Sequence, residues 1–359
     1  MTFCVQQQKI KQKRQFNLST TEGDMQMKFL LVINSNLCAK TSSFWLRYGD
    51  QIDHYFGEYE HCYPKDRQIM VPSKINDYDV IILIGDDTFF SCFINAVFYE
   101  LASKKKQTAL AFIPDRRNTA MASSLGLYSK VSDQCEAILK QNTLFLDLIR
   151  CHYLDKKGIP RSHFIINDAV IGVSAARLPL VLKTIAAIAK HPPILPTRNP
   201  SKHIVLQSGG ETIYSGGYSF AAILLGSKLT NGPRLPFKNR LRCSLNSFDY
   251  YQISHPSQYN AKSGVFETLS SSFENLGKYV MSQSFNELTL RGEGEENTII
   301  ADGMHLGRIP ATFSFLPKAI RVIAPLQTLK VGQPWHQKVT APVMPKPLGS
   351  RKCLSRKVG

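Results

Sequence analysis

The sequence lacks the long apolar runs and paired cysteines that define several common classes of protein. No apolar run approaches the roughly 20 residues needed to span a bilayer. The basic N-terminus carries no apolar segment of the secretory type. The eight cysteines are scattered and no two form a C-x-x-C pair, so we expect neither a zinc site nor a disulfide framework. These absences favour a reducing, cytoplasmic location.

Acidic residues are also scarce. The chain has 27 Asp and Glu against 44 Lys and Arg, a net charge of +17, which favours anionic surfaces such as lipid headgroups, polyphosphates or nucleic acid. No aromatic-plus-basic stripe marks an RNA-binding sheet, so we expect no specific nucleic-acid partner. We expect peripheral association with an anionic membrane surface instead, and a homodimer is left open.

The length of the chain and the distribution of its strand and helix patterns predict two domains, flanked by two extensions. Residues 27–142 alternate strands with helices, which indicates a layered α/β domain. Residues 143–325 carry many short strands with turn signals, which indicate a β-sandwich-like domain. Residues 1–26 are polar and predicted to be disordered. Residues 326–359 contain no acid and are either a flexible membrane-binding tail or a merely solubilising one.

Apolar runs and turn signals predict the individual elements. The predicted strands are 28–34, 59–63, 80–84, 109–114, 143–152, 163–172, 203–207, 211–225, 248–253, 298–301, 312–315 and 319–323. The predicted helices are 42–56, 89–103, one ending at Gly126, and 177–190.

One strand and the turn after it organise the predicted α/β domain. Val80 to Ile84 is apolar on both faces, which is typical of a central parallel strand. The turn Gly85-Asp86-Asp87-Thr88 follows, and apolar residues at helical spacing come next. In open α/β sheets this carboxyl edge is where ligands bind, and helix N-termini there offer N–H groups to phosphate.

Four sequence blocks, in order, resemble the lipid kinases of the diacylglycerol kinase and sphingosine kinase superfamily, with NAD kinase a more distant relative. The first is the opening strand that ends at Asn34. The second, Ile84 to Thr88, is similar to the family loop G-G-D-G-T. The third, Phe112 to Gly126, is similar to P-x-G-T-x-N-D-F-A-x-x-L-G. The fourth, Thr298 to Gly303, is similar to the final D-G-E turn. Together they span roughly residues 28–325.

The resemblance implies an α/β nucleotide-binding domain followed by a β-rich substrate domain, with ATP and Mg²⁺ as cofactors. It implies transfer of phosphate from ATP to the hydroxyl of a diacylglycerol- or sphingoid-type lipid. The implied nucleotide-binding residues are Asn34, Gly85, Asp86, Asp87, Thr88, Arg116, Arg117 and Asn118. The implied catalytic residues are Asp302 and Asp86, and the implied metal ligands are Asp86 and Asp249.

Several positions depart from the family pattern. Asp87 replaces a glycine, and its charge would repel bare phosphate unless a metal intervenes. Arg116-Arg117 replaces Gly-Thr and would either clamp phosphates or remain solvated on a surface turn. Thr119-Ala120 replaces Asn-Asp.

The catalytic turn departs as well. Met304 stands where the family carries its catalytic glutamate, which leaves Asp302, Glu296 or His305 as substitutes. Two hypotheses therefore stay open: a lipid kinase, or a pseudokinase that keeps the fold without turnover. For the corner itself, a plain helix cap made by Asp87 or Thr88 is the alternative to a phosphate site.

Overall fold

The computed structural model describes residues 27–34, 38–57, 59–62, 75–102, 108–115, 119–127, 130–172, 202–226, 229–230, 246–254, 280–292 and 297–324. The predicted extensions 1–26 and 326–359 and the predicted helix 177–190 lie outside these residues. So do three predicted nucleotide-binding residues, Arg116, Arg117 and Asn118. Within the described ranges no helix combines the length and the apolar character needed to cross a bilayer.

The first unit is a parallel sheet covered by helices on both faces. Its strands are β1 (Phe29–Ile33), β2 (Glu60–Cys62), β3 (Val80–Gly85) and β4 (Ala109–Pro114), in the spatial order β2, β1, β3, β4. Its helices are α1 (Cys38–Phe56), α2 (Asp87–Ala102), α3 (Ala120–Leu125) and α4 (Val131–Leu139), with a short 3-10 helix at Ile75–Asp77.

Strand β3 has the central position that its apolar sequence predicts. All six of its residues are buried. Ile81 and Leu83 pack into the core on one face of the sheet, while Ile82 and Ile84 pack into the core on the other. A strand buried on both faces needs apolar residues at every position, which explains the unbroken run.

The second unit is antiparallel and rich in β-structure. Its strands are β5 (Thr143–Leu154), β6 (Pro160–Ile165), β7 (Asp168–Ile171), β8 (Lys202–Ser208), β9 (Glu211–Leu224), β10 (Phe248–Ser254), β11 (Val280–Phe285), β12 (Glu287–Arg291), β13 (Thr298–Ala301) and β14 (Met304–Ile323). Strands β7, β9, β8, β12, β14 and β13 pair successively and close into a ring around an apolar core.

The long strand β14 belongs to both units. Its beginning pairs with β13 and β12 in the ring, and its end pairs in parallel with β4, with Val322 opposite Leu110. The register against β5 shifts between Leu316 and Ile320. There the N–H of Lys318 donates to Asp147 Oδ1 at 2.7 Å. The α/β sheet and the β-rich unit are therefore one continuous hydrogen-bonded sheet.

Two predicted strand assignments differ from the structure. The strand predicted at 163–172 is divided into β6 and β7, because the N–H groups of Ile166 and Asn167 turn toward the carboxylate of Asp302. The two strands predicted at 312–315 and 319–323 are a single bulged strand, β14. Helix α4 and strands β11 and β12 were not predicted, because their apolar patterns are short.

Candidate nucleotide site at the junction of the two units

The carboxyl ends of three parallel strands meet at one corner. The N–H of Asn34, just after β1, donates to the Ile84 carbonyl at 2.9 Å, and the N–H of Asp115, just after β4, donates to the Gly85 carbonyl at 2.9 Å. A Cβ on Gly85 would lie 2.7 Å from Phe89 Cδ1 and 3.0 Å from Asn34 Cβ. Glycine is therefore required for this close packing, and the structure brings Asn34 and Gly85, two of the predicted nucleotide-binding residues, together.

Asp86 caps helix α2. Its Oδ1 accepts a hydrogen bond from the N–H of Phe89 at 2.9 Å, the standard N-cap geometry that satisfies one free donor of the first turn. The capping residue is thus Asp86, and not Asp87 or Thr88. Its side chain is half-buried, and no described group donates to its Oδ2. Asp86 therefore combines a structural role with one carboxylate oxygen left for a ligand.

Asp87 turns inward and binds the start of helix α3. Its side chain is 4% exposed, and its two oxygens accept hydrogen bonds from the N–H of Ala120 at 2.6 Å and of Met121 at 3.1 Å. Thr119 Oγ1 accepts from the next N–H, that of Ala122, at 3.0 Å. The first turn of α3 is therefore saturated by side chains of the protein itself.

Thr88 and Ser91 connect helix α2 to the β13–β14 turn of the second unit. Thr88 Oγ1 donates to the Asp302 carbonyl at 2.9 Å, and Ser91 Oγ donates to Asp302 Oδ2 at 2.8 Å. Asp302 and Gly303 form this two-residue turn with φ angles of +47° and +81°. Asp-Gly suits such a turn because it needs positive φ at both positions. The predicted Thr88 and Asp302 are thus in direct contact.

The carboxylate of Asp302 is fully buried and hydrogen-bonded on both oxygens. Oδ2 accepts from Ser91 Oγ and from the N–H of Ile166 at 2.8 Å, and Oδ1 accepts from the N–H groups of Asn167 at 2.9 Å and Asp168 at 3.1 Å. A carboxylate offers about four lone-pair sites, so all are occupied. In its ionised form Asp302 fixes the junction through these four hydrogen bonds, and it can hold a proton only if the hydroxyl of Ser91 turns to accept it.

A second buried acid lies beside it. Asp168 Oδ1 accepts hydrogen bonds from Asn167 Nδ2 at 2.6 Å and from the N–H and the hydroxyl of Thr230. Burial, and then the Asp168 carboxylate, raise the pKa of Asp302 to about 7. Burial is also the main cause that raises the pKa of Asp168, with the charge of Asp87 adding to it. The junction therefore holds acids whose charged forms are costly.

The positions after the turn lie beside helix α2. Met304, where the related pattern has glutamate, places its Sδ 3.1 Å from Cys92 Sγ. A polar side chain at position 304 would therefore start beside Cys92 of helix α2. His305 is largely exposed, and the partial burial of its ring, followed by the charge of the nearby Lys156, lowers its pKa. Glu296 lies outside the described residues.

The predicted metal ligand Asp249 lies elsewhere, on strand β10. It is 8% exposed, and its oxygens accept hydrogen bonds from the hydroxyls of Ser284 and Tyr251. In the described part of the chain, no group of three or more His, Cys, Asp or Glu side chains is placed to hold a metal. Asp249 is therefore not part of such a group, and the register places it opposite Leu224 of β9, which pairs on its other side with Asp168.

Several residues that build the junction had no predicted role in the site. They are Ser91, Asn95, Thr119, Asn167 and Asp168. Asn167-Asp168 stands between two apolar runs, and buried polar residues at such a position signal a break in a strand. Ser91 carried no signal, because a serine on the apolar face of a helix is common.

Comparison with known proteins gives matches in structure only. No family model and no curated protein matches the sequence. A candidate diacylglycerol kinase from Bacillus anthracis str. Sterne matches with a TM-score of 0.61 and 16% identity, over 84% of this chain and 98% of that one. Another structure of a diacylglycerol kinase from that organism gives 0.57 at 16%, over 83% and 96%. An NAD kinase from Archaeoglobus fulgidus in complex with ATP gives 0.45 at 11%, over 84% and 96%.

The chain therefore has the fold of the diacylglycerol kinase structures. The predicted fold class, an α/β domain of the diacylglycerol kinase type combined with a β-rich unit, is confirmed. At 16% identity the likeness establishes the fold. The chemistry depends on the residues that this chain carries at the corner and the junction.

Proposed function

We propose that this protein is an ATP-dependent lipid kinase that transfers phosphate to the hydroxyl of a diacylglycerol- or sphingoid-type lipid. The observation that carries the proposal is the Gly85–Asp86 corner. There a half-exposed carboxylate follows a glycine that has no room for a Cβ, at the carboxyl edge of a parallel sheet. That edge is the usual ligand position in such sheets, and the second unit touches it through the Thr88–Asp302 contact.

The donor set at the corner suits a magnesium ion carried by the nucleotide. Mg²⁺ commonly uses one or two carboxylates and completes its shell with water and substrate phosphates. Asp86 Oδ2 would supply one such oxygen while Oδ1 remains on the helix cap. Bound there, the ion would neutralise phosphate charge. The protein would contribute mainly positioning and electrostatic stabilisation, as in phosphoryl transfer generally.

The positive charge of the chain supports a lipid substrate. With a net charge of +17 the protein is attracted to anionic bilayers, where each cation near the surface adds about 1 kcal/mol. In this proposal Asp86 serves the nucleotide and its ion, and Asp302 positions the second unit against α2.

A pseudokinase is the second candidate, and three observations favour it. Met304 occupies the position of the related glutamate, Asp302 is saturated by hydrogen bonds, and Asp87 already fills the N-terminus of α3. A general base contributes about 10²–10⁴-fold to a rate, so its loss would leave very slow turnover. This protein would then bind nucleotide or lipid as a scaffold.

One assay separates the two candidates: transfer of label from radioactive ATP to mixed vesicles containing diacylglycerol or sphingosine. Asp86→Asn keeps the capping oxygen and removes the charge, so we expect labelled lipid to fall at least about tenfold. Asp50→Ala, an exposed acid on α1, is the matched control and should equal wild type. Met304→Glu should raise the rate by about 10²–10⁴-fold.

The outcomes are distinct. Labelled lipid from wild type supports the kinase. No label from wild type, together with an ATP-dependent rise in melting temperature that Asp86→Asn removes, supports the pseudokinase. An unchanged melting temperature with ATP would contradict both.

A further inference from the structure

An open cavity of about 870 Å³ lies in the second unit, apart from the corner at Asp86. Strands β5, β6, β8, β12 and β14 contribute its walls. The register places His152 beside Thr312, and Thr312 beside Thr289, on one face of the sheet. These residues are exposed or half-buried, while all of their chain neighbours except the half-buried Tyr153 are buried, so this face is the outer one. None of the residues assigned to the nucleotide site lines the cavity.

The lining is positively charged. Arg161 and Arg291 supply the charge, the imidazoles of His152 and His203 lie in the same lining, and no Asp or Glu is among the lining residues that the structure describes. Arg161 Nε lies 3.3 Å from Asp155 Oδ2. This contact orients the guanidinium of Arg161 and does not use its two terminal nitrogens. The guanidinium of Arg291 is exposed and makes no ion pair with any described residue. Guanidinium groups match phosphate because they donate two parallel hydrogen bonds.

The backbone beside Arg291 is fixed by close packing. A Cβ on Gly292 would lie 2.6 Å from the His203 carbonyl oxygen and 2.8 Å from Ile309 Cδ1. Arg291 also pairs with Val205 across β12 and β8. This end of the cavity is therefore held at a defined distance from His203. A preorganised cation loses less entropy on binding than one on a free loop.

The rest of the wall is apolar. Leu154, Pro160, Val205 and Pro310 line it together with the threonines. Ligand cavities usually measure about 300–1,000 Å³, and this one is far larger than a bare phosphate needs. The combination of a basic end and an apolar wall suits an anion with an organic body.

We propose that this cavity is a second ligand site, which binds a phosphate monoester with an organic body. The phosphate lies at Arg291, on the outer face with Thr289, and the organic part lies against Leu154, Pro160 and Pro310. The site is independent of nucleotide binding at Asp86, so it holds whether or not the protein is a kinase. The same chemistry occurs in the headgroup of a phosphatidic acid and in a soluble phosphate ester.

Binding to two kinds of probe tests the site in the full chain. The first is phosphatidylcholine vesicles with and without phosphatidic acid, measured by co-sedimentation at about 0.15 M salt to screen bulk charge. The second is glycerol phosphate, measured by calorimetry. We expect Arg291→Gln to weaken binding about tenfold, since one charge-assisted contact is lost. Arg47→Gln, an exposed arginine on α1, removes the same charge and should bind as wild type.

The second variant tests the location. His152 lies on the same outer face of the sheet as Thr312 and Thr289. His152→Gln should therefore also weaken binding, while Arg47→Gln should not. If only the vesicles bind, the source is a lipid headgroup, and if glycerol phosphate binds as well, a soluble ester suffices. Equal losses in Arg291→Gln and Arg47→Gln would show that bulk charge alone attracts the probes, and the proposal would be wrong. Absence of binding to both probes would overturn it too.

Discussion

At the scale of single residues, the carboxylate of Asp87 occupies the N-terminus of α3, where an incoming phosphate would otherwise find free N–H groups. The bonds to Ala120 and Met121 fix it there. The related loop has glycine at this position, so one substitution separates a self-capped helix from an open one. In the proposed nucleotide site, Asp87 would therefore reduce access of phosphate to these N–H groups while it stabilises the start of α3.

We expect Asp87→Gly to bind ATP more tightly and to be less stable. Removing the charge removes repulsion of the nucleotide phosphates, while the two N–H groups lose their acceptors, a cost of about 1–3 kcal/mol in unfolding free energy. Calorimetry with ATP and urea unfolding measure the two effects. Asp87→Asn, which keeps one acceptor oxygen, should fall between glycine and wild type. A glycine variant with unchanged stability and affinity would contradict this role for Asp87.

At the scale of elements, Asn95 fastens helix α2 to the edge strand β6. Its Oδ1 accepts from the Phe164 N–H at 2.7 Å, and its Nδ2 donates to the Phe164 carbonyl at 2.8 Å. The side-chain amide thus bonds the N–H and the carbonyl of Phe164 as the backbone of a neighbouring strand would. Because β6 pairs on its other side with β5 alone, this contact satisfies backbone groups that would otherwise be unpaired.

Asn95→Ala should therefore lower the unfolding free energy by about 1–3 kcal/mol, since two backbone groups lose their partner. Urea unfolding measures the loss, and faster hydrogen exchange at β6 would locate it. Asn286→Ala changes the same residue type at an exposed position and should stay within about 0.5 kcal/mol of wild type. Equal stability of the two variants would show that Asn95 does not anchor the helix.

At the scale of the whole molecule, a buried acid, Asp302, and a buried histidine, His163, change the unfolding free energy in opposite directions as the pH rises. Burial and Asp168 raise the pKa of Asp302 to about 7, so the folded state holds the extra proton between the ordinary pKa of 3.8 and 7. The contribution of Asp302 therefore makes stability fall as pH rises. Burial lowers the pKa of His163 to about 4, so between pH 4 and 6.5 the unfolded state holds more protons. The contribution of His163 therefore makes stability rise with pH.

Two variants, His163→Gln and Asp302→Asn, should separate the contributions of these two groups to the pH dependence of stability. His163→Gln leaves the acids alone, and its unfolding free energy should decrease more steeply than that of wild type from pH 4.5 to 6.5. Asp302→Asn leaves the histidine, and its slope over the same range should be flatter or reversed, whatever its absolute loss of stability. Urea unfolding at several pH values gives the slopes. Parallel profiles for all three proteins would show that neither group titrates in this window.

The sequence by itself determined the central strands and the corner. The runs of β1, β3 and β4 are apolar at every position, and only a strand covered on both faces needs such a pattern. Gly85 could be recognised because a strand that ends in glycine and acids turns sharply. The Asp302-Gly303 turn was likewise visible, since few dipeptides favour that hairpin. These are local properties, and neighbouring residues suffice to specify them.

Only the tertiary structure decided which carboxylates remain available. Asp86, Asp87 and Asp302 are one residue type in the sequence, yet one caps α2, one caps α3, and one is saturated at the junction. Their partners lie up to 211 residues away, as in the Ser91–Asp302 contact. Hydrogen-bond saturation depends on groups brought together by folding, so no local pattern of residues could have predicted it.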